Sequence, residues 1–108
     1  PMEIVQYQII LVNLDPTMGS EIKKTRPCVI ISPDEMNKYL RTVVIAPMTS
    51  TSKPYPTRTE ILFQKKKGWV VLDQVRTIDK KRIIKSYHKL SDTEIKAVKN
   101  ILRETYVD

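Results

Sequence analysis

At 108 residues the chain is long enough for one hydrophobic core and too short for two, so a single domain over 1–108 is expected. A 41% share of hydrophobic residues argues against disorder, and apolar runs of only a few residues leave no signal peptide or transmembrane helix. The formal net charge of +7 is concentrated: residues 22–90 hold 16 Lys/Arg against 5 Asp/Glu, net +11, while the two ends together hold 3 against 7, net −4. A basic middle of this kind suits a polyanionic partner, either nucleic acid or an acidic protein segment.

Residues 7–14 read as a first strand, with an apolar run through Ile9, Ile10, Leu11 and Val12. Asp15-Pro16 ends it, and Gly19 gives the following loop its flexible point. That loop carries Glu21, Lys23, Lys24 and Arg26 and runs directly into an apolar, β-branched second strand over 27–32. Arg26 is the last charge before the core begins, and Pro27 biases it toward extended geometry. Ser32-Pro33-Asp34-Glu35 opens a short helical turn over 36–39, with the proline and acids expected at a helix start. A third strand over 42–48 is followed by a hydroxyl-rich loop with two prolines, 49–56.

Residues 58–63 alternate as a strand, and Lys65-Lys66-Lys67-Gly68 reads as a hairpin turn whose lysines also discourage edge pairing. The next strand runs over 69–72 and continues over 74–78 across a bend, and Asp79-Lys80-Lys81 turns the chain into a last short strand over 83–87. The final segment is the clearest helix. Ser91 and Glu94 have capping-box spacing, and Ile95, Val98, Ile101, Leu102 and Tyr106 share one face. Five or more short strands and a terminal helix imply a small twisted sheet or part-closed barrel.

One cysteine, Cys28, allows no disulfide within the chain, fits a reducing cytoplasm, and reads as a core residue. One histidine, His88, leaves no His/Cys metal cluster, and the acids are scattered, so no cofactor is expected. Three polar clusters lie at strand ends: 20–26, 49–55, and Asp73-Gln74-Val75-Arg76. If their strands are neighbours they converge. Lys23, Lys24, Lys53 and Arg76 would then offer cations for phosphate, Ser20 and Ser50 hydroxyls, Gln74 an amide for a base edge, and Tyr55 a ring for stacking.

Leu14-Asp15-Pro16-Thr17, Gly19-Ser20-Glu21, Arg26-Pro27, Ala46-Pro47-Met48-Thr49, Ser52-Lys53 with Tyr55-Pro56, and Asp73-Gln74-Val75-Arg76-Thr77-Ile78-Asp79 occur in one order along nearly the whole chain. In this ordered set the chain resembles the MazF/PemK family of toxins from bacterial toxin–antitoxin modules. The resemblance implies an α+β fold, a small SH3-like β-barrel with short helices and a C-terminal packing helix. It also implies a cytoplasmic homodimer that cuts single-stranded mRNA at short sequences without metal, held in check by an antitoxin with an acidic disordered segment.

On that resemblance Arg26 is the phosphate stabiliser, Thr49 the second catalytic position, and Glu21 the loop carboxylate. Glu21 either orients Arg26 or accepts the 2′-hydroxyl proton, and both roles stay open. Ser20 and Gln74 match RNA-contacting positions. One branch of the family has a histidine and an arginine where this chain has Ser20 and Val71. An aspartate-centred mechanism is therefore not carried over, and Asp73 is left between a structural and a catalytic role. Two other readings share the pattern: a gyrase-directed or other protein-binding toxin on the same barrel, and a non-catalytic RNA-binding module.

Overall fold

Valine and isoleucine are the commonest residues in the first three strands, and each strand has a stretch that is buried on both faces. The computed structural model describes residues 3–14, 24–51 and 54–108. Strand β1 (Gln8–Asn13) lies antiparallel to β2 (Thr25–Ile30), with Ile10 opposite Cys28, and β2 lies antiparallel to β3 (Thr42–Thr49), with Cys28 opposite Pro47. Side chains alternate across a pleated strand. Ile9, Val29 and Ala46 therefore pack on one side, and Ile10, Cys28, Ile30 and Ile45 on the other, all with no exposed surface. Burial on both sides explains why these strands read as continuous apolar runs and not as an alternation.

Two more strands curl one side of the sheet into a half-barrel. β6 (Arg76–Asp79) pairs with the first half of β3, and β7 (Ile83–Lys89) pairs with the free edge of β1. A single 3-10 turn over Lys80–Arg82 joins them, capped by the Asp79 carboxylate, which accepts from the Lys81 amide at 2.8 Å. The enclosed cluster is Ile10, Val12, Cys28, Ile30, Val43, Ile45 and Ile78.

The opposite face is covered by a hairpin and a helix. β4 (Arg58–Phe63) pairs with β5 (Lys66–Val71), and β5 joins the last two residues of β3, Met48 opposite Val70 and Thr49 opposite Trp69. α2 (Asp92–Tyr106) buries Val98 completely and lays Ile95, Ile101 and Leu102 on Leu72, Ile61 and their neighbours. The Phe63 ring from β4 meets the Tyr87 ring from β7 edge-to-face at 5.0 Å, tying the two ends of the sheet together. A short helix α1 (Asp34–Tyr39) buries Asn37, whose amide donates to the Ser32 carbonyl at 2.8 Å; the Ser32 hydroxyl in turn accepts from the Val44 amide at 3.0 Å. The half-barrel, the two helices and the α+β class agree with the sequence expectation.

Two boundaries differ from it in ways that bear on function. The hairpin turn is Gln64-Lys65, both at positive φ (50° and 63°), so Lys66, Lys67 and Gly68 belong to β5. A two-residue turn with both φ positive matches the twist of its strands, and this outweighs the lack of glycine in it. Gly68 instead faces Ile61 across the hairpin and is buried against β3: a Cβ there would sit 3.4 Å from Met48 Cε and 3.6 Å from the Thr49 carbonyl. The second strand also starts earlier, at Thr25, because Val12 pairs with Arg26 and Asn13 with Thr25. Arg26 is thus held inside a strand and not at the end of a loop.

The capping box of α2 forms as read: Ser91 Oγ accepts from the Glu94 amide at 3.2 Å, and Glu94 Oε1 from the Ser91 amide at 2.9 Å. Glu94 Oε2 also accepts from the Leu62 amide on edge strand β4 at 2.8 Å. Replacing Glu94 by alanine should cost about 1–2 kcal/mol in urea unfolding and speed hydrogen exchange at the Leu62 amide, since two backbone donors lose their acceptor. Glu94→Gln, which keeps one acceptor oxygen, should fall between the two.

Candidate nucleic-acid site between the second and third strands

The β2–β3 ladder stops short of Arg26. Cys28 pairs with Pro47, Val29 with Ala46 and Ile30 with Ile45. The ladder ends there, Arg26 pairing onward with Val12 of β1 and Thr49 with Trp69 of β5. Arg26 and Thr49 both line a groove of about 300 Å³. Ser50 and Lys67 also line it, Lys66 closes the hairpin side, and Met48 and Gly68 contribute its floor. A second hollow of about 490 Å³ is lined by Leu14, Lys24, Thr25 and Arg26. Thr25 and Arg26 line both hollows.

The Thr49 hydroxyl donates to the Thr51 carbonyl at 2.9 Å and fixes the chain as it leaves β3. To donate to a ligand oxygen, its single proton must leave that carbonyl. Arg26 is exposed, and among the described residues no carboxylate pairs with it. An exposed guanidinium and a hydroxyl lining one open, cation-lined groove can hold an oxyanion.

A family model described as "PemK-like, MazF-like toxin of type II toxin-antitoxin system" matches residues 5–106. The chain belongs to this family. It is 38% identical over 100 residues to an endoribonuclease MazF of Staphylococcus saprophyticus, covering 87% of this chain and 83% of that protein. Among solved structures, a mycobacterial endoribonuclease in complex with its cognate antitoxin superimposes with a TM-score of 0.80 at 18% identity, covering 94% of this chain and 92% of the other. A MazE–MazF structure from Deinococcus radiodurans gives 0.80 at 22% identity, with 96% of each chain covered. At these identities the solved structures speak to the fold alone, and they share this MazF-like half-barrel.

Within this MazF-like chain the three polar clusters converge only in part. Lys24 and Arg26 from the first and Thr49 and Ser50 from the second line the two hollows. The third cluster turns elsewhere. Asp73 accepts from the Thr57 hydroxyl at 2.9 Å, and its carboxylate lies 3.6 Å from Arg58 Nε. Arg58 in turn places its guanidinium 4.8 Å from the centre of the Tyr55 ring. Asp73 thus ties the segment after β3 to the 3-10 turn over Leu72–Gln74. Gln74 and Arg76 are exposed, and neither they nor Tyr55 line either hollow. Ser20, Glu21, Lys23 and Lys53 lie outside the described residues.

Cys28 is a core residue as expected. Burial pushes its thiol up to about 12, against the opposing fields of Arg26 and Arg76, so it stays neutral and inert. His88 is exposed, its ring 6.1 Å from Phe63, and it lines neither hollow. Among the described residues no three His, Cys, Asp or Glu side chains group as a metal site, and no helix is long and apolar enough to cross a membrane.

Sequence reading missed Lys66 and Lys67 as groove residues. Their signal lay in the β-period of the hairpin, which a turn drawn two residues too late concealed.

Partial burial acts to raise the Asp73 pKa, but the Thr57 hydroxyl, the local backbone and the Arg58 guanidinium together hold it below the usual aspartate value. A depressed folded-state pKa stabilises above the unfolded value and is lost as pH falls through the folded one. Asp73→Asn should therefore lower the melting temperature modestly at pH 7. The deficit should shrink as pH falls below about 3.9, the ordinary aspartate value, in melts followed by circular dichroism.

Proposed function

We propose that this endoribonuclease toxin cleaves single-stranded RNA at short sequences by attack of a ribose 2′-hydroxyl on the adjacent phosphate. The 2′-oxygen forms a bond to phosphorus as the bond to the 5′-oxygen breaks. A proton leaves the first oxygen and one is delivered to the second, giving a 2′,3′-cyclic phosphate and a 5′-hydroxyl. Negative charge concentrates on the non-bridging phosphoryl oxygens in the transition state. The observation that carries the reading is that Arg26 and Thr49 line one groove with Lys66 and Lys67, while Arg26 also lines a second hollow with Lys24.

Arg26 supplies two parallel N–H donors to those oxygens, which a lysine ammonium does not match. Thr49 adds a hydroxyl donor once its proton turns from the Thr51 carbonyl. The nucleophile is the substrate's own ribose 2′-hydroxyl, so no protein nucleophile is needed, consistent with a buried and protonated Cys28. Glu21 stands as base or as orienting group for Arg26.

The same reading places the protein in the cytoplasm as a homodimer. Its antitoxin carries an acidic segment that lies in the groove, its carboxylates on the cations that otherwise hold phosphates. The solved relatives from mycobacteria and Deinococcus are themselves held with antitoxins.

Purified protein incubated with a transcript in EDTA should give discrete cuts ending in cyclic phosphate, and replacing the attacked ribose by its 2′-deoxy form should abolish cutting at that site. Arg26→Ala should lower the cleavage rate by about 10²–10³-fold, the scale of a lost transition-state donor, with an unchanged melting temperature. Arg26→Ala cutting at the wild-type rate removes the residue from the mechanism. Sedimentation equilibrium at micromolar protein should report twice the chain mass; a monomer that still cleaves contradicts the dimer.

A further inference from the structure

We propose that the β4–β5 hairpin is a second RNA anchor, in which Lys66 and Lys67 hold the backbone phosphates on one side of the scissile bond while Lys24 serves the other. The inference rests on the nuclease reading above and names how that site holds a chain longer than one nucleotide.

The two hollows share Arg26: one is lined also by Lys24, the other by Lys66 and Lys67, so a strand held at Arg26 has cations within reach in both. Thr49 pairs with Trp69, and Lys67 follows two residues back along β5, about 7 Å at strand rise. Gly68 adds no side chain between Lys67 and the Met48–Thr49 segment, which keeps the floor between hairpin and catalytic pair low.

The lysines remain available to a ligand. Lys67 Nζ is 3.8 Å from Glu60 Oε1, but these side chains are 73% and 49% exposed, a pairing that water screens. The turn that carries them is held by two residues at positive φ inside a six-pair antiparallel ladder, so the cations are presented from a strand and not from a loose loop. Lys65 provides the contrast. It is exposed and adjacent in sequence, carries the same charge, and lines neither hollow.

The test compares Lys66→Ala/Lys67→Ala with Lys65→Ala. Substrate is an RNA cut by the wild type at a mapped site; binding is read by fluorescence anisotropy on its 2′-deoxy analogue. For the double variant, KM and Kd should rise roughly tenfold or more at low salt, kcat should stay unchanged, and the slope of log K against log salt should fall by about 1.4. Lys65→Ala should match the wild type in all three, and both variants should melt with it. A double variant indistinguishable from Lys65→Ala overturns the proposal, as does one that loses kcat with KM unchanged. A wild type that cuts no RNA sinks the nuclease reading itself, whereas one that cuts while the double variant behaves as wild type removes the hairpin alone.

Discussion

The register between β2 and β3 is the constraint on which the site depends. A slip of one residue would turn Cys28, Val29 and Ile30 to opposite faces, and each face is already filled by aliphatic side chains with no exposed surface. Fully burying one such side chain is worth about 1.5–3 kcal/mol. Crowding exposed cations at the strand end costs about 1 kcal/mol per close pair in water. The core wins by a wide margin, so where β2 and β3 carry Arg26 and Thr49 is set by hydrophobic packing several residues away. The two residues proposed as the catalytic pair line their groove without depending on a contact between them.

The same fold sorts its cations by whether an acid comes with them. Arg58 is placed against Asp73 and the Tyr55 ring, Lys67 loosely against Glu60, and Arg103 against Asp108 at 3.5 Å. Arg26 and Lys24, on the two hollows, carry no such ion pair among the described residues. Like charges left together at a strand end lower stability slightly and raise the local potential for an anion. Arg58 and Arg26 look alike as letters in a basic sequence. Their surroundings make one a bracket and the other a binding group.

How far the sequence reveals this depends on the length scale of each signal. The capping box at Ser91 and Glu94 is a four-residue pattern with its own local physics, and it forms as read. The apolar runs of β1 to β3 are equally local, and with the ordered family motifs they suffice for the half-barrel; the structure adds that Arg26 and Thr49 line one groove. The hairpin was misplaced because lysines and a glycine resemble a turn, whereas the turn actually uses Gln64 and Lys65 at positive φ. Gly68 is buried against Met48 and Thr49 of β3, a contact that no short window along the sequence contains. Asp73 is similar: its carboxylate is explained by Thr57 and Arg58, which come together only when β4 folds beside the turn after β5.

On the proposed reading, one lane of cations serves both substrate and inhibitor, which has a consequence for the toxin's control. RNA phosphates and antitoxin carboxylates would compete for the same guanidinium and ammonium groups, so affinity for one cannot be raised by added positive charge without raising affinity for the other. Selectivity between them has to come from what charge does not supply: the Thr49 hydroxyl poised beside a reacting phosphate, and groove walls such as Phe63 and Met48 that accept a flat base or an apolar side chain on different terms. In the proposed arrangement the lysines fix how tightly any polyanion is held, and Arg26 with Thr49 decides whether what is held is cut.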